Sequence, residues 1–565
     1  MTQITLNDGG RQAAGAGRRS SLLRHVPVWL SVLLVTLLFV LPVIRLFYMS
    51  FVEEGGISLA HYRSLLSETG TWTMFLNTLI VTAGSTVLSL ALGVTTAWLT
   101  AYTDIRMKKA LQVFILLPFI IPSYIVTIAW TQLASDVPFA DINLYSMGGI
   151  IFVLGITHYP LVHLFTANVL RRIPKEQEWA ARAVGGGRLT VLRRVTLPLA
   201  LPGIVSGAMI AFLSNLDNFG IPAFLGIPAN ITVLSTAIYQ EVIGFGPGAF
   251  SRAAALSVIL AIVALAGTLF QWMLLRKSAT DGTSAPDTEP RIRLGKKRSF
   301  VEAAIWLFVL GTGIVPLLSM LKTSVIRAYG LPFIPDNLTL EHYRYVLFEY
   351  GKSFAAIGTS LKLAVAASLI CLVFGTAIAY FRTRRPGGAM RYIELSAGLP
   401  YALPGIVLGL AMIFAWMEPV PGWNPGIYGT AWILLIAYVT RFMVLQVRGS
   451  MTAMAQVSPD MEEAARISGA GASQKWRKIL LPLLSGGILS GALLVLLTSL
   501  TELTVSSLLW SSGSETIGII IFNFEQAGYT THSTAYSAVI LFLMVAIAGL
   551  AFLVLRIWKR RLNTP

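Results

Sequence analysis

Twelve long apolar stretches divide the chain, and they restrict its fold more than any other feature of the sequence. A helix of about 20 residues crosses the hydrocarbon core of a bilayer, where only helices and closed barrels satisfy their backbone hydrogen bonds. The sequence therefore predicts an all-α membrane protein with about twelve transmembrane helices. The stretches lie at about 27–50, 73–101, 111–134, 147–170, 198–222, 254–276, 300–322, 354–381, 391–416, 427–449, 483–510 and 535–557.

The charged residues are few and unevenly placed. They make up 12% of the 565 residues, about half the share of a soluble protein. A net charge of +17 would suit a nucleic-acid partner, but lysine and arginine lie mainly between apolar stretches and not on one basic face. Basic loops of membrane proteins face the cytoplasm. We expect a multi-pass protein of the cell (inner) membrane, in contact with lipid and not nucleic acid, with both termini cytoplasmic.

The sequence repeats itself at a nearly constant spacing. LPFIIP at 117–122 recurs as LPYALP at 399–404, a shift of 282 residues, and the same shift carries Gly93 onto Gly375. An even number of spans preserves orientation, so the pattern predicts two homologous six-helix halves related by a pseudo-twofold axis along the membrane normal. The paired prolines are expected to kink the third and ninth spans.

The repeat and the loop composition give a domain organisation. Residues 277–299 are polar and rich in Ser, Thr, Pro and Gly at their start, which predicts a flexible cytoplasmic linker between the halves. The predicted units are a cytoplasmic tail at 1–26, a first half at 27–276, the linker at 277–299, a second half at 300–557 and a cytoplasmic tail at 558–565.

Two basic loops, at about 171–197 and 450–481, share a second motif. WAARAVG at 179–185 recurs 284 residues later as EAARISG at 463–469, and each motif is followed by a basic stretch ending in Leu-Pro. Each copy predicts a short helix that ends at a glycine. These segments are too charged for the hydrocarbon core, so they lie at the membrane surface or in a groove of another protein.

The pattern resembles the EAA loop of binding-protein-dependent ABC transporter permeases. The second copy matches fully, whereas in the first copy Trp179 stands at the glutamate position and Glu178 lies one residue earlier. The resemblance implies that each loop forms a coupling helix that docks on an ATP-hydrolysing subunit. Two surface helices without a docking role are the alternative. The residues implicated are Glu178, Trp179, Ala180, Ala181, Gly185, Glu463, Ala464, Ala465 and Gly469.

The chain carries no G-x4-G-K-[ST] motif to cradle a triphosphate. We therefore expect no catalytic residue and no cofactor bound by this chain, with ATP used by two copies of a separate ABC ATPase subunit. The resemblance also implies a substrate-binding protein as partner. The tandem organisation and the stretch DNFGIPA at 217–223 look most like permeases for ferric iron. Import of thiamine, polyamine or phosphonate by the same class remains an alternative, as does an ion-coupled secondary transporter.

Polar residues inside apolar stretches are candidates for a translocation path, because an Asp at a helix centre costs about 2.5–3.5 kcal/mol on insertion scales. At the shift of 284, Asp217 aligns with Thr501 and Asn218 aligns with Glu502. Carboxylates from both halves would suit a polar cavity at their interface. Local hydrogen bonding near the ends of the spans is the alternative.

A metal site is not expected. His158 and His163 lie five residues apart, which points their rings roughly 140° apart on a helix. No third ligand is evident, and separate packing and hydrogen-bonding roles are favoured.

Overall fold

The structure is a computed structural model that describes residues 27–562 except 54–55, 138–141, 245, 247, 277–286, 288 and 419–425. The predicted tail at 1–26, part of the linker and residues 563–565 lie outside the described residues. Within the described part, ten helices are long and apolar enough to cross a membrane, and two bent helix pairs bring the number to twelve. The prediction of an all-α membrane protein is confirmed.

The first half contains ten helices, which we number α1 to α10, and a two-residue hairpin. The helices are α1 (Pro27–Met49), α2 (Ala60–Ser67), α3 (Thr69–Tyr102), α4 (Lys108–Ile120), α5 (Ser123–Asp136), α6 (Met147–Leu170), α7 (Lys175–Ala183), α8 (Arg188–Asp217), α9 (Leu234–Ile243) and α10 (Ala249–Leu275). The hairpin pairs β1 (Val52–Glu53) with β2 (Gly56–Ile57), and a helical turn lies at Pro222–Gly226.

The second half repeats this order. Its helices are α11 (Gly295–Ser324), α12 (Gly351–Arg384), α13 (Gly388–Ala402), α14 (Gly405–Trp416), α15 (Ala431–Met454), α16 (Pro459–Ile467), α17 (Ala472–Leu500), α18 (Ile517–Gln526) and α19 (Thr530–Leu562). Shorter helical turns lie at Pro335–Asn337, Glu341–Arg344, Tyr345–Glu349 and Ser506–Leu509.

The third and ninth apolar stretches are broken, and not merely kinked as the sequence predicted. Helices α4 and α5 meet at 99°, and α13 and α14 meet at 114°. The first proline of each motif lies inside a helix, whereas Ile121 and Leu403, which precede the second proline, are extended. A residue before proline is pushed out of the helical region, so the bend is concentrated at Pro122 and Pro404.

Each half is built on three helices that pack closely: α3, α6 and α8 in the first, and α12, α15 and α17 in the second. The glycines matched by the repeat lie at these crossings. A Cβ atom on Gly93 would lie 2.5 Å from Cβ of Val162, and one on Gly375 would lie 2.8 Å from Cγ of Gln446. Small residues of this kind let membrane helices approach one another.

The two short helices α9 and α18, which the sequence did not predict, begin in the same way. The amide of Leu234 donates to the Thr78 hydroxyl at 2.8 Å, and the amide of Ile517 donates to the Ser360 hydroxyl at 2.9 Å. Thr78 and Ser360 are related by the repeat spacing. The same contact in both halves supports the predicted duplication.

The halves exchange their first helices. Helix α1 packs against α14 of the second half, and the end of α11 (Val315–Ser324) packs against α5 of the first half. The broken helices therefore form much of the interface between the halves.

The described part of the predicted linker is not free. Residues 287 and 289–294 lie against the first half, where the amides of Arg291 and Ile292 both donate to the Tyr102 carbonyl at 2.9 Å. The expectation of a flexible segment is therefore corrected for these residues by a set of backbone hydrogen bonds.

Candidate functional site

The two EAA-type loops fold alike. Each short helix, α7 or α16, ends at a glycine with a left-handed backbone, with φ +86° at Gly185 and φ +81° at Gly469. The next amide reaches back into the last turn, from Gly186 to Ala181 at 2.9 Å and from Ala470 to Ala465 at 3.0 Å. This arrangement is a common helix C-cap, and it favours glycine because a Cβ atom strains the left-handed conformation.

A buried glutamate anchors the first loop. One carboxylate oxygen of Glu178 accepts hydrogen bonds from the Tyr102 hydroxyl at 2.8 Å and from the Thr196 hydroxyl at 2.7 Å. The same oxygen lies 3.2 Å from the guanidinium of Arg291. Glu178 thus faces the base of the loop and not the surface where a partner would approach.

Glu462 holds the second loop in the same place, 284 residues after Glu178. It accepts hydrogen bonds from Arg384 at 2.6 Å, Lys475 at 2.8 Å and the Tyr380 hydroxyl at 3.1 Å. Burial acts to raise the pKa of Glu462, but the bonds from Lys475 and Arg384 outweigh burial and lower it below its ordinary value. The carboxylate is therefore ionised at neutral pH.

Sequence reasoning missed Glu462. It paired Trp179 with Glu463 and treated Glu178 as a displaced substitute for Glu463, whereas Glu178 is the structural equivalent of Glu462. The signal was present, because both glutamates directly precede the aligned positions at the same shift of 284. Which of two adjacent glutamates faces inward depends on the helix phase and on residues far along the chain.

The remaining predicted loop residues divide by exposure. Trp179, Ala180, Glu463 and Ala464 are exposed, Ala181 is intermediate, and Ala465 is buried. Each helix also leaves an apolar side chain in the open, with Val184 exposed by 87% and Ile467 by 86%. The two loops therefore present short helices with small and apolar surface residues, held from below by an ion pair.

A cavity of about 310 Å³ lies between the halves. It brings together three of the four predicted path residues, Asn218, Thr501 and Glu502, while Asp217 lies beside it. Polar side chains from both halves line it, including Thr157, His158, Asn218, Arg441, Thr498, Thr501 and Glu502.

Asp217 links the two halves. It is the last residue of α8, and it accepts a hydrogen bond from the amide of Gly405 at the start of α14. Its other oxygen pairs with Arg441 of α15 at 2.7 Å. Arg441 is only 8% exposed. A Cβ atom on Gly405 would collide with the Arg441 guanidinium, so glycine is required for this close approach.

Glu502, in contrast, is bonded locally. Its carboxylate accepts from the amides of Val505 at 2.8 Å and Ser506 at 3.0 Å, and from the Ser506 hydroxyl at 2.9 Å. It thereby caps the turn at Ser506–Leu509, as acidic residues commonly do at helix starts. Of the two alternatives left open by the sequence, local bonding describes Glu502, whereas Asp217 bridges between halves.

The fifth and eleventh spans end earlier than predicted. Helix α8 stops at Asp217 and α17 stops at Leu500, so the predicted path residues lie at or beyond helix ends and not within spans. The Asn218 side chain accepts from the amide of Ile221 at 2.9 Å. The polar residues satisfy backbone groups where the chain leaves the helix.

The two buried histidines have separate partners. Nδ1 of His158 lies 2.7 Å from the Asn215 side-chain oxygen, and Nδ1 of His163 lies 3.0 Å from the Thr96 hydroxyl. Among the described residues, no group of three or more His, Cys, Asp or Glu could hold a metal ion.

Comparison with known proteins identifies both halves. The family described as binding-protein-dependent transport system inner membrane component matches residues 89–277 and again residues 371–564. These matches together cover more than half of the chain. The chain belongs to this family. As a member of the binding-protein-dependent transport permeases, it is a multi-pass inner-membrane transport component, and the predicted tandem permease is confirmed.

Three relatives illustrate the relationship. The ferric transport system permease protein FbpB of Actinobacillus pleuropneumoniae is 23% identical over 91% of this chain and 76% of its own length. The probable ABC transporter permease protein y4fN of Sinorhizobium fredii is 26% identical over 63% of each chain, so the match spans less than two thirds of that protein. The putative 2-aminoethylphosphonate transport permease PhnV of Salmonella typhimurium is 28% identical over 44% of this chain and 89% of its own length.

Proposed function

We propose that this permease moves ferric iron, delivered by a periplasmic or extracellular binding protein, into the cytoplasm at the expense of ATP. The observation that carries the mechanism is the pair of loops that expose short helices at equivalent positions of the two halves. Each helix is supported by a buried carboxylate, so a push on its exposed face is transmitted to the ends of α3 and α12. A permease of this kind is a transport subunit and not an enzyme.

In the proposed complex, α7 and α16 each dock on one copy of an ABC ATPase subunit, which binds and hydrolyses ATP, and this chain holds no cofactor. Both termini, the linker and both EAA-type loops then lie in the cytoplasm. The two halves remain 27–276 and 300–557, with the short tail at 558–565. Closure of the ATPases would alternate access to the cavity between the halves.

The charge of the cavity supports a cation as cargo. Asp217 and Glu502 bring two carboxylates to its walls and immediate surroundings, against the single guanidinium of Arg441. The extended match to a permease named for ferric transport supports iron in particular. The match of one half to a phosphonate permease keeps an anionic cargo as the competing possibility, and thiamine or a polyamine would suit the same class.

The cargo is tested with the permease reconstituted in liposomes with its ATPase and binding protein. We expect the binding protein loaded with ferric iron to raise ATP hydrolysis several-fold over the unloaded protein, because a loaded partner favours the closed ATPase pair. Thiamine, spermidine and 2-aminoethylphosphonate are the comparison cargoes. Stimulation by one of these in place of iron would reject the proposed cargo. Uptake by the permease alone under an imposed proton gradient would instead favour a secondary transporter.

The docking surface is tested by replacing exposed alanines of the two short helices. Ala464→Glu and Ala180→Glu are each expected to cost one of two bound ATPase subunits, because a long charged side chain prevents close approach of the partner. Ala465 is a poorer probe, since it is buried. The measurement is the mass of the detergent-purified complex. Leu340→Glu, at an exposed position outside both loops, is the control, and equal ATPase retention in all three variants would contradict docking.

A further inference from the structure

The first EAA-type loop lacks the cations that support the second. In the second half, Arg384 and Lys475 both pair with Glu462. The residues at the corresponding positions of the first half, at shifts of 282 and 284, are Tyr102 and Val191. Neither carries a charge, although Glu178 is as deeply buried as Glu462. A buried carboxylate without a cation is strongly unfavourable.

Arg291 of the linker provides the missing charge. Its guanidinium lies 3.2 Å from the Glu178 carboxylate, donates to the Tyr102 hydroxyl at 2.9 Å and also donates to the Ile173 carbonyl. It stacks over the ring of Tyr102 at 4.7 Å from the centroid. The Arg291 side chain is only 6% exposed. Four groups of the first half thus hold one side chain of the linker.

The backbone around Arg291 is fixed to the same surface. The amide of Asp287 donates to the Arg171 carbonyl at 2.7 Å, and the amide of Leu294 donates to the Asp104 carboxylate at 2.9 Å. The Asp287 carboxylate pairs with Lys175, the first residue of α7, at 2.9 Å. The linker therefore contacts the loop on both sides of Arg291.

We propose that Arg291 is a positioning residue of the first coupling loop, which the linker supplies in place of the two cations that the second half carries on its own helices. The linker is then part of the base on which α7 rests, and not only a tether between halves. This inference rests on the proposed docking role of α7. It predicts an asymmetric dependence, because loss of Arg291 should loosen the first loop and leave the second unchanged.

The test measures loop mobility in the full chain without any ATPase. A nitroxide label is placed on Val184→Cys in the first loop or on Ser468→Cys, its equivalent in the second; the native Cys371 is fully buried. Arg291→Ala and the milder Arg291→Gln are expected to raise label mobility at 184 but not at 468. Arg291→Lys should restore the motion to that of the unsubstituted linker. Arg293→Ala removes an exposed linker arginine two residues away and should change nothing.

Unchanged mobility at 184 in Arg291→Ala, or an equal rise at both labels, would overturn the proposal. The mass of the complex with the ATPase then separates this inference from the docking role. Loss of one of two ATPase copies in Arg291→Ala, with both copies kept in Arg291→Lys, supports both. A mobile first loop that still retains two ATPase copies supports the positioning role of Arg291 and contradicts docking through α7.

Discussion

Replacing Asp217 with alanine is expected to abolish transport and to lower the free energy of unfolding by about 3 kcal/mol. The substitution leaves Arg441, which is only 8% exposed, without its carboxylate and removes the acceptor of the Gly405 amide. We place the loss at the lower end of the range for broken buried pairs, because the Asp217 side chain is 35% exposed and partly screened by water. Unfolding in detergent by titration with dodecyl sulfate measures the stability, and uptake into proteoliposomes measures transport.

Thr501→Ala is the matched control for Asp217, since it alters the equivalent position of the other half. The Thr501 hydroxyl donates only to the Leu497 carbonyl of its own helix, so the expected change in stability is below about 0.5 kcal/mol. The pair Asp217→Leu with Arg441→Met removes both charges and should recover most of the stability. If transport also recovered fully in the double variant, the ion pair would have no role beyond packing.

Glu462→Ala is expected to have a comparable effect on the second loop. Arg384 and Lys475 lose their shared carboxylate at a site where both are largely buried, which costs about 2–4 kcal/mol. The loop then loses its fixed position, and we expect one of two ATPase copies to be lost with it. Thermal unfolding and the mass of the complex measure the two effects. Glu463→Ala, at the exposed neighbouring position, should leave both unchanged.

The pH dependence of the same cluster has a definite sign. Because the pKa of Glu462 is lowered in the folded protein, its contribution to stability is present above the ordinary pKa of glutamate. The contribution is lost as the pH falls through the lowered value. Glu462→Gln should therefore reduce the loss of stability on acidification. An unchanged acid profile in this variant would show that other groups determine it.

The repeat and the helical class follow from the sequence because they depend on local composition. Runs of apolar residues and the recurring LP-x3-P motif require no knowledge of contacts, and both match the fold. The severity of the bends was not predictable in the same way. A proline motif shows where a helix is weak, but whether it kinks or breaks depends on what packs against it, here α1 on α14 and α11 on α5.

The pairing within the candidate site was beyond the sequence for a related reason. Asp217 and Arg441 are 224 residues apart, and Glu178 and Arg291 come from different predicted domains. A single sequence nominated Asp217 and Glu178 because acidic groups are rare near apolar segments. It could not supply their partners, because those depend on how the halves dock and on where the linker runs.

The exchange of first helices has a consequence for biosynthesis. Helix α1 is complete at Met49, but its partner α14 begins only at Gly405. At a synthesis rate of about 5–20 residues per second, α1 waits roughly 20–70 s in the bilayer before its partner emerges. An apolar helix tolerates this delay because lipid solvates its surface as well as protein does. The final membrane assembly must therefore close from its two ends, with the earliest helix among the later ones to find its place.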